Sequence, residues 1–245
     1  SFFTVDRSLQ GTAGMTKKIN VYTATDGTEK LTLGEGNTKK INASHTTKSY
    51  VSTLAQNYGE WYDEEAMEDP MIPFVIAKHA GTDMFNTVNA EIYAELAKTN
   101  LEATLASSDY FAAFVDAQAL LEVEDTNAGA PSTFAFVSPA VLAKMRKALK
   151  DDLKYNESFA RTGYVGSVAG TNIFVKKDAG DSAIYVATKE AVTVFVKKGV
   201  ESELYQKGSR ASSDANIRVN SLLTRKYYLA ALTDETKCVK INLGA

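Results

Sequence analysis

Two histidines and one cysteine bound the chemistry open to this chain of 245 residues. A Ser-His-Asp triad or a Cys-His dyad would have to recruit His45 or His79. His45 sits in the polar run Ile41-Asn42-Ala43-Ser44-His45-Thr46-Thr47, which reads as a loop. His79 lies in an apolar helical stretch with Asp83 four residues on, so both share one helix face and a metal pair is conceivable. No third ligand stands nearby, and a partly buried histidine with a local hydrogen bond is the plainer reading. Cys238, in a strand-like run near the C-terminus, reads as a small packing residue, not a nucleophile. A single cysteine also excludes an intrachain disulfide and a cysteine-rich zinc site.

Gly163, Gly166 and Gly170 fit neither G-x-G-x-x-G nor G-x-x-x-x-G-K-[ST]. The strand-like Thr171-Asn172-Ile173-Phe174-Val175 follows them, so the helix N-terminus that would hold a phosphate is missing, and these glycines read as turn formers. The acidic cluster Asp63, Glu64, Glu65, Glu68 and Asp69 precedes Pro70 and a long apolar helix, where carboxylates suit the helix dipole and the free amides. The alternative reading is contact with a basic patch of a neighbouring subunit. Asp151-Asp152 and Glu122-Glu124-Asp125 are the remaining acidic candidates for a site, and they look like solvated helix ends and loops. The residues thus call for no catalytic group, no cofactor and no metal.

Composition supports a folded chain. Hydrophobic residues make up 44% and charged residues 23%, which excludes bulk disorder. A net charge of −3 argues against a chain devoted to coating nucleic acid. No apolar run approaches the length of a membrane span, and the first residues, Ser1-Phe2-Phe3-Thr4-Val5-Asp6-Arg7, do not form a signal peptide. Ser1 fits removal of an initiator Met or cleavage of a longer precursor.

The elements come in an unusual order. Residues 1–14 form a mixed arm whose Phe2, Phe3 and Val5 imply docking, since alone it would fray. Residues 15–56 are β-rich but polar: Ile19, Val21 and Thr23 alternate, Asp26-Gly27 signals a hairpin turn, and Leu31 and Leu33 follow on the return strand. Such a hairpin buries no core of its own, so it is a mobile loop or completes itself on a partner. Lys17, Lys18, Lys39 and Lys40 add positive charge there, complementary to the acids at 60–69. Steps of three and four through Met84, Phe85, Val88, Ile92 and Leu96 predict a helix over 70–98, with Pro70 and Pro73 in its first turn, a rod of roughly 40 Å. Ser107-Ser108-Asp109 caps a helix over 109–123 with Phe111, Phe114, Val115, Leu120 and Leu121 inward. A loop over 122–131, a buried strand over 133–137 and a helix from Ser138-Pro139 to about 153 follow. Strands are expected over 171–177, 183–188, 192–197, 200–205, a long 216–230, and 237–243.

This order resembles the tailed-bacteriophage major capsid fold of the Hong Kong 97 type, most clearly from about residue 60 onward. The runs Phe136-Val137-Ser138-Pro139-Ala140-Val141-Leu142 and 163–175, the Leu33-Gly34-Glu35-Gly36 turn, and the closing stretch 232–241 are similar to that family's. The resemblance implies an α+β chain in four parts. These are an N-terminal arm (1–14), an extended β-hairpin loop (15–58), a peripheral domain with a long spine helix and long β-strands (59–106 and 199–228), and an α/β axial domain (107–198 and 229–245). It implies a structural protein whose hexamers and pentamers enclose double-stranded DNA in a virion. Its partners would be other copies of itself, a scaffold, a portal and decoration proteins, with weak, non-specific DNA contact, no membrane, and assembly in the bacterial cytoplasm. Inter-subunit contacts are then expected at Phe2, Phe3, Lys17, Lys18, Asp26, Gly27, Glu35, Gly36, Lys39, Lys40, Asp63, Glu64, Glu65 and Glu68. An encapsulin-like compartment shell and a soluble α/β ligand-binding protein or enzyme are the alternatives.

Overall fold

A computed structural model describes residues 2–121, 132–150 and 166–244. The sequence-based readings at 122–131, the far end of the helix placed to 153, Asp151-Asp152 and Gly163 lie outside the described residues.

A six-stranded mixed sheet carries one lobe. Its strands are β5 (Glu102–Thr104), β6 (Thr133–Val137), β7 (Ser167–Val168), β8 (Thr171–Val175), β9 (Ala183–Thr188) and β12 (Cys238–Asn242), in the order β5-β12-β9-β6-β8-β7. Side chains alternate across it as strand geometry demands. Ala135, Val137, Ile184, Val186, Val239 and Ile241 face α3 (Tyr110–Leu120) and α4 (Pro139–Ala148), which contribute Phe114, Ala117, Val141, Leu142 and Met145 to the same core. Both helices start where the sequence signals. Asp109 accepts from the Ala112 amide at 3.0 Å and Ser138 from the Val141 amide at 3.1 Å, each satisfying one orphan donor. Between β7 and β8 the chain reverses at Ala169 and Gly170, both with positive φ, as a two-residue turn needs.

The opposite face presents Phe134, Ala187 and Cys238 to a second core. That core is completed by Val88, Ile92 and Leu96 of the long helix α2 (Ile72–Leu96) and by Val192, Val194, Val196, Tyr228, Ala230 and Leu232 of a four-stranded sheet. The strands of this sheet are β1 (Thr4–Asp6), β10 (Val192–Tyr205), β11 (Val219–Leu232) and β4 (Thr53–Tyr62), in the order β1-β10-β11-β4. α2 lies close against β4: a Cβ on Gly59 would sit 2.4 Å from Ile76 Cγ2, so glycine makes the approach possible. A short helix, α1 (Asp63–Glu68), links β4 to α2, and α5 (Ser212–Ile217) precedes β11.

β2 (Thr16–Ala24) and β3 (Ala43–Val51) pair only with each other, from Thr16 opposite Val51 to Ala24 opposite Ala43. They form a ribbon apart from both sheets, with a long tip over residues 25–42.

Several expectations are corrected. Asp26-Gly27 does not turn a hairpin. The strand returns at 43–51, because the Thr-rich, β-branched segment there continues the ladder with Thr25 donating to Asn42 at 3.0 Å. His45 accordingly lies in a strand, not a loop, and His79 is exposed, not partly buried. The strands expected over 192–197 and 200–205 are one. Two register shifts, between Val196 and Lys198 and between Lys198 and Glu201, absorb Lys197, Gly199 and Val200 while pairing with β11 continues. The long strand expected over 216–230 begins at Val219, since Ser212–Ile217 is helical and Arg218 ends it at φ 59°. On α3 the buried residues include Tyr110, Ala113, Phe114 and Ala117, while Phe111, Val115 and Leu120 are exposed. The helix is apolar on all sides, so its composition could not say which face turns inward. On α2, Met84, Val88, Ile92 and Leu96 are buried as the spacing predicts, but Phe85 points to solvent.

Candidate functional site

No cluster of three or more His, Cys, Asp or Glu side chains suited to a metal occurs among the described residues, and no helix of the described residues is long and apolar enough to cross a membrane. Cys238 is fully buried, and burial pushes its thiol up to about 12, far from a nucleophile's range. Chemistry-bearing side chains meet instead at three surface features.

The first is the ribbon tip, which is ordered by its own polar groups. Glu29 accepts from the Thr38 amide at 2.7 Å and from its hydroxyl at 2.8 Å, and Asn37 Nδ2 donates to Gly27 O and Lys39 O at 3.0 and 2.7 Å. Gly27 is buried against Ile41, whose backbone nitrogen would lie 2.8 Å from a Cβ there. Glu35 turns back to Thr32. These hydrogen bonds hold Glu29 and Glu35 below the usual carboxylate range, through the Thr38 amide and hydroxyl for one and the Thr32 hydroxyl and amide for the other. Around this knot Leu31, Leu33 and Ile41 stand exposed, as do Asp26, Gly36, Lys39 and Lys40. Exposed apolar side chains on a fixed scaffold are what a binding surface offers.

The second is the arm, which docks on its own chain. Phe2 makes edge contacts with Phe134, Phe136 and Phe174 at centroid distances of 5.1, 5.1 and 4.7 Å, and Phe3 packs on the same core. β1 runs parallel to β10, with Thr4, Val5 and Asp6 opposite Thr193, Val194 and Phe195. Lys17 of the ribbon reaches Asp6 at 3.6 Å and Ser8 at 2.6 Å, while Lys18 is exposed.

The third is the acidic stretch, which is split by the fold. Asp63 accepts from Arg210 and from Asn220, and Glu64 from Arg218, so these carboxylates pair within the chain. The Arg210 hydrogen bond, then that from Asn220, lowers the Asp63 carboxyl; for Glu64 its own amide leads and Arg218 follows. Glu65 closes a capping box on the Tyr62 amide at 2.9 Å. Glu68 is exposed beside Met67, Met71 and Phe74, which are exposed as well. Arg210, Arg218 and Asn220 were invisible to sequence reasoning because nothing local links them to residues some 150 positions earlier. The Glu29–Thr38 knot escaped for a similar reason, as it depends on a hairpin register that the Asp-Gly signal misplaced.

No protein-family model matches the chain, and no curated protein matches its sequence. Solved structures do match it in three dimensions. The capsid of the cyanophage P-SCSP1u superposes with a TM-score of 0.78 at 12% identity, over 100% of this chain and 87% of that one. The mature capsid of bacteriophage PhiM1 gives 0.67 at 13% identity, over 98% and 85%. This chain has the tailed-phage capsid fold. A virus-like particle from Pyrococcus furiosus shares it, with a TM-score of 0.60 at 15% identity over 98% and 90% of the two chains. The capsid fold covers the whole chain in the cyanophage comparison, so the arm and ribbon fall within the matched span.

Proposed function

We propose that this chain is a structural major capsid protein, which self-assembles as hexamers and pentamers into an icosahedral shell around double-stranded DNA. The observation that carries the reading is the match of the full chain to phage capsid structures. A ribbon and tip that expose Leu31, Leu33 and Ile41 in the lone chain support it. Burial against neighbours would return about 25 cal/mol per Å² of that apolar surface, and many modest contacts repeated around closed symmetry make a stable shell. In this reading residues 1–14 are the arm, 15–58 the extended loop together with the first half of β4 into which it runs, 59–106 with 199–228 the peripheral domain, and 107–198 with 229–245 the axial domain. Phe2 and Phe3 brace the arm, and the exposed tip residues Asp26, Glu35, Gly36, Lys39 and Lys40 join Lys18 as the reaching surface, while Gly27 packs inside the tip and Lys17 ties the ribbon to the arm. Glu65 and Glu68, with the partly engaged Asp63 and Glu64, are the acidic side of the contact.

The protein acts without catalysis or cofactor. Its partners are further copies of itself, a scaffold, a portal and decoration proteins, and the packaged DNA, which a net-negative shell touches weakly. It resides in the virion after assembly in the host cytoplasm. The second reading, a protein-compartment shell, is favoured by the likeness to the Pyrococcus particle and stands behind the first because several of the matching structures are phage capsids, the cyanophage one at a TM-score of 0.78. Negative-stain electron microscopy of the purified chain decides between them. Closed shells or hexamer and pentamer rings support both; enclosed protein cargo selects the second. A monomer that stays monomeric even with its cognate scaffold overturns both.

A further inference from the structure

We infer that residues 4–12 are a wedge that sets the angle of the β2–β3 ribbon, so that docking of the arm switches the ribbon between a fixed and a free state. The ribbon leaves the body at a single place, where Ser52 donates to Met15 O at 2.8 Å and its strands are joined to β4 and to the arm. A two-stranded ribbon has no core to hold its own direction. What lies under its base therefore decides where it points.

Leu9 fills that place. It is 4% exposed and forms a small core with Phe195 of β10 and Ala231 of β11, against which Ile19 of β2 and Tyr50 of β3 pack. Tyr50 stacks on Phe195 with centroids 5.2 Å apart. Lys197 fastens the arm from below, donating to Leu9 O at 2.9 Å and to Thr12 O. Thr4 is pinned to Lys189 O at 3.0 Å. The polar ties of β2 run to the arm as well, from Lys17 to Asp6 and to Ser8, whose own amide is held by Asp6 at 2.7 Å. β3 has a separate tie, the half-exposed pair Lys48–Glu235 at 3.5 Å, which is of a kind that contributes little. One strand of the ribbon thus rests on the arm and the other on the body beside it. Withdrawing Leu9 would open a cavity under Ile19 and Tyr50 and cut the anchor of β2.

The inference rests on contacts within one chain and not on the shell reading, so the test uses the full chain kept dilute and unassembled. Spin labels on Leu33→Cys at the tip and Ala143→Cys on the body report their separation; the buried Cys238 stays unlabelled. With the arm docked, one narrow distance is expected. Leu9→Asp, and the milder Leu9→Ala should the first fail to fold, should lose that single distance. Hydrogen exchange at Val5 and Asp6 confirms that the arm has left β10, with protection reduced by on the order of tenfold or more. Lys48→Ala should leave the distance narrow. A narrow distance in a folded variant whose arm amides exchange freely overturns the inference, and so does a wild-type chain whose distance is already broad. Electron microscopy of the unlabelled protein judges the shell reading independently.

Discussion

Arg210 and Asp63, 147 positions apart, meet at 2.5 Å across the corner where β4 turns into α1. The Arg210 side chain is 6% exposed, so the guanidinium is nearly buried and Asp63, with Asn220, is what compensates it. Asp63 has a folded-state carboxyl lowered below its ordinary value. Its contribution is therefore present above the unfolded carboxylate range and is lost as pH falls through the lower folded value. Asp63→Asn should raise the pH midpoint of acid unfolding, followed by circular dichroism, and flatten its slope. Arg210→Ala should do the same, because it leaves Asp63 with its second partner alone. An unchanged acid midpoint in both variants would sink this account.

Gly59 should not tolerate a side chain. The Cβ of Gly59→Ala would meet Ile76 Cγ2 at 2.4 Å, so either the Ile76 side chain or α2 itself must give way. A loss of about 1–3 kcal/mol in urea unfolding is expected. Adding Ile76→Ala should recover part of it, although Ile76→Ala alone is destabilising. Failure of the double variant to improve on Gly59→Ala would place the strain elsewhere.

Gly81 makes the opposite case. It lies in the interior of α2 with open space where a Cβ would go. Gly81→Ala should stabilise the chain by roughly 0.5–1 kcal/mol, since only backbone entropy changes. Scanning calorimetry should show a Tm higher by about 1–4 °C.

Phe2 should matter more than a terminal residue normally does. Its ring touches three others, so Phe2→Ala is expected to cost about 1–3 kcal/mol of stability, measured by urea unfolding. Phe2→Leu, which keeps apolar volume but loses the edge contacts, should fall between the two.

Cys238 should be silent in the folded chain. With its thiol pushed up to about 12 and no solvent contact, Ellman's reagent at pH 8 should release no thiolate colour until denaturant is added. Rapid reaction in native buffer would contradict the burial.

Legibility followed the distance over which each signal acts. The cap residues Asp109 and Ser138, the apolar steps of α2 and the buried apolar run of β6 are local, and all were readable. The ribbon's register was not. A local Asp-Gly signal competed with pairing of polar strands, and the pairing won through a partner that begins only at Ala43. The same limit hid the continuity of β10 past Lys198, because pairing with β11 carries the strand through two bulges that look like breaks. At the surface, the residue types of the acidic stretch were plain, but its division into paired and free carboxylates required Arg210 and Arg218. The aromatic character of the arm correctly announced docking; that the dock is Phe134, Phe136 and Phe174 of the same chain was a long-range fact.

The core that α2, the inner halves of β10 and β11, and one face of the six-stranded sheet build together has a mechanical meaning. Packed side chains cross between the two lobes throughout this core, so the chain should behave as a single stiff plate, melting in one step and bending little. In the proposed shell, load would then be taken up at the seams between such plates, where the thin, polar β2–β3 ribbon is the compliant member.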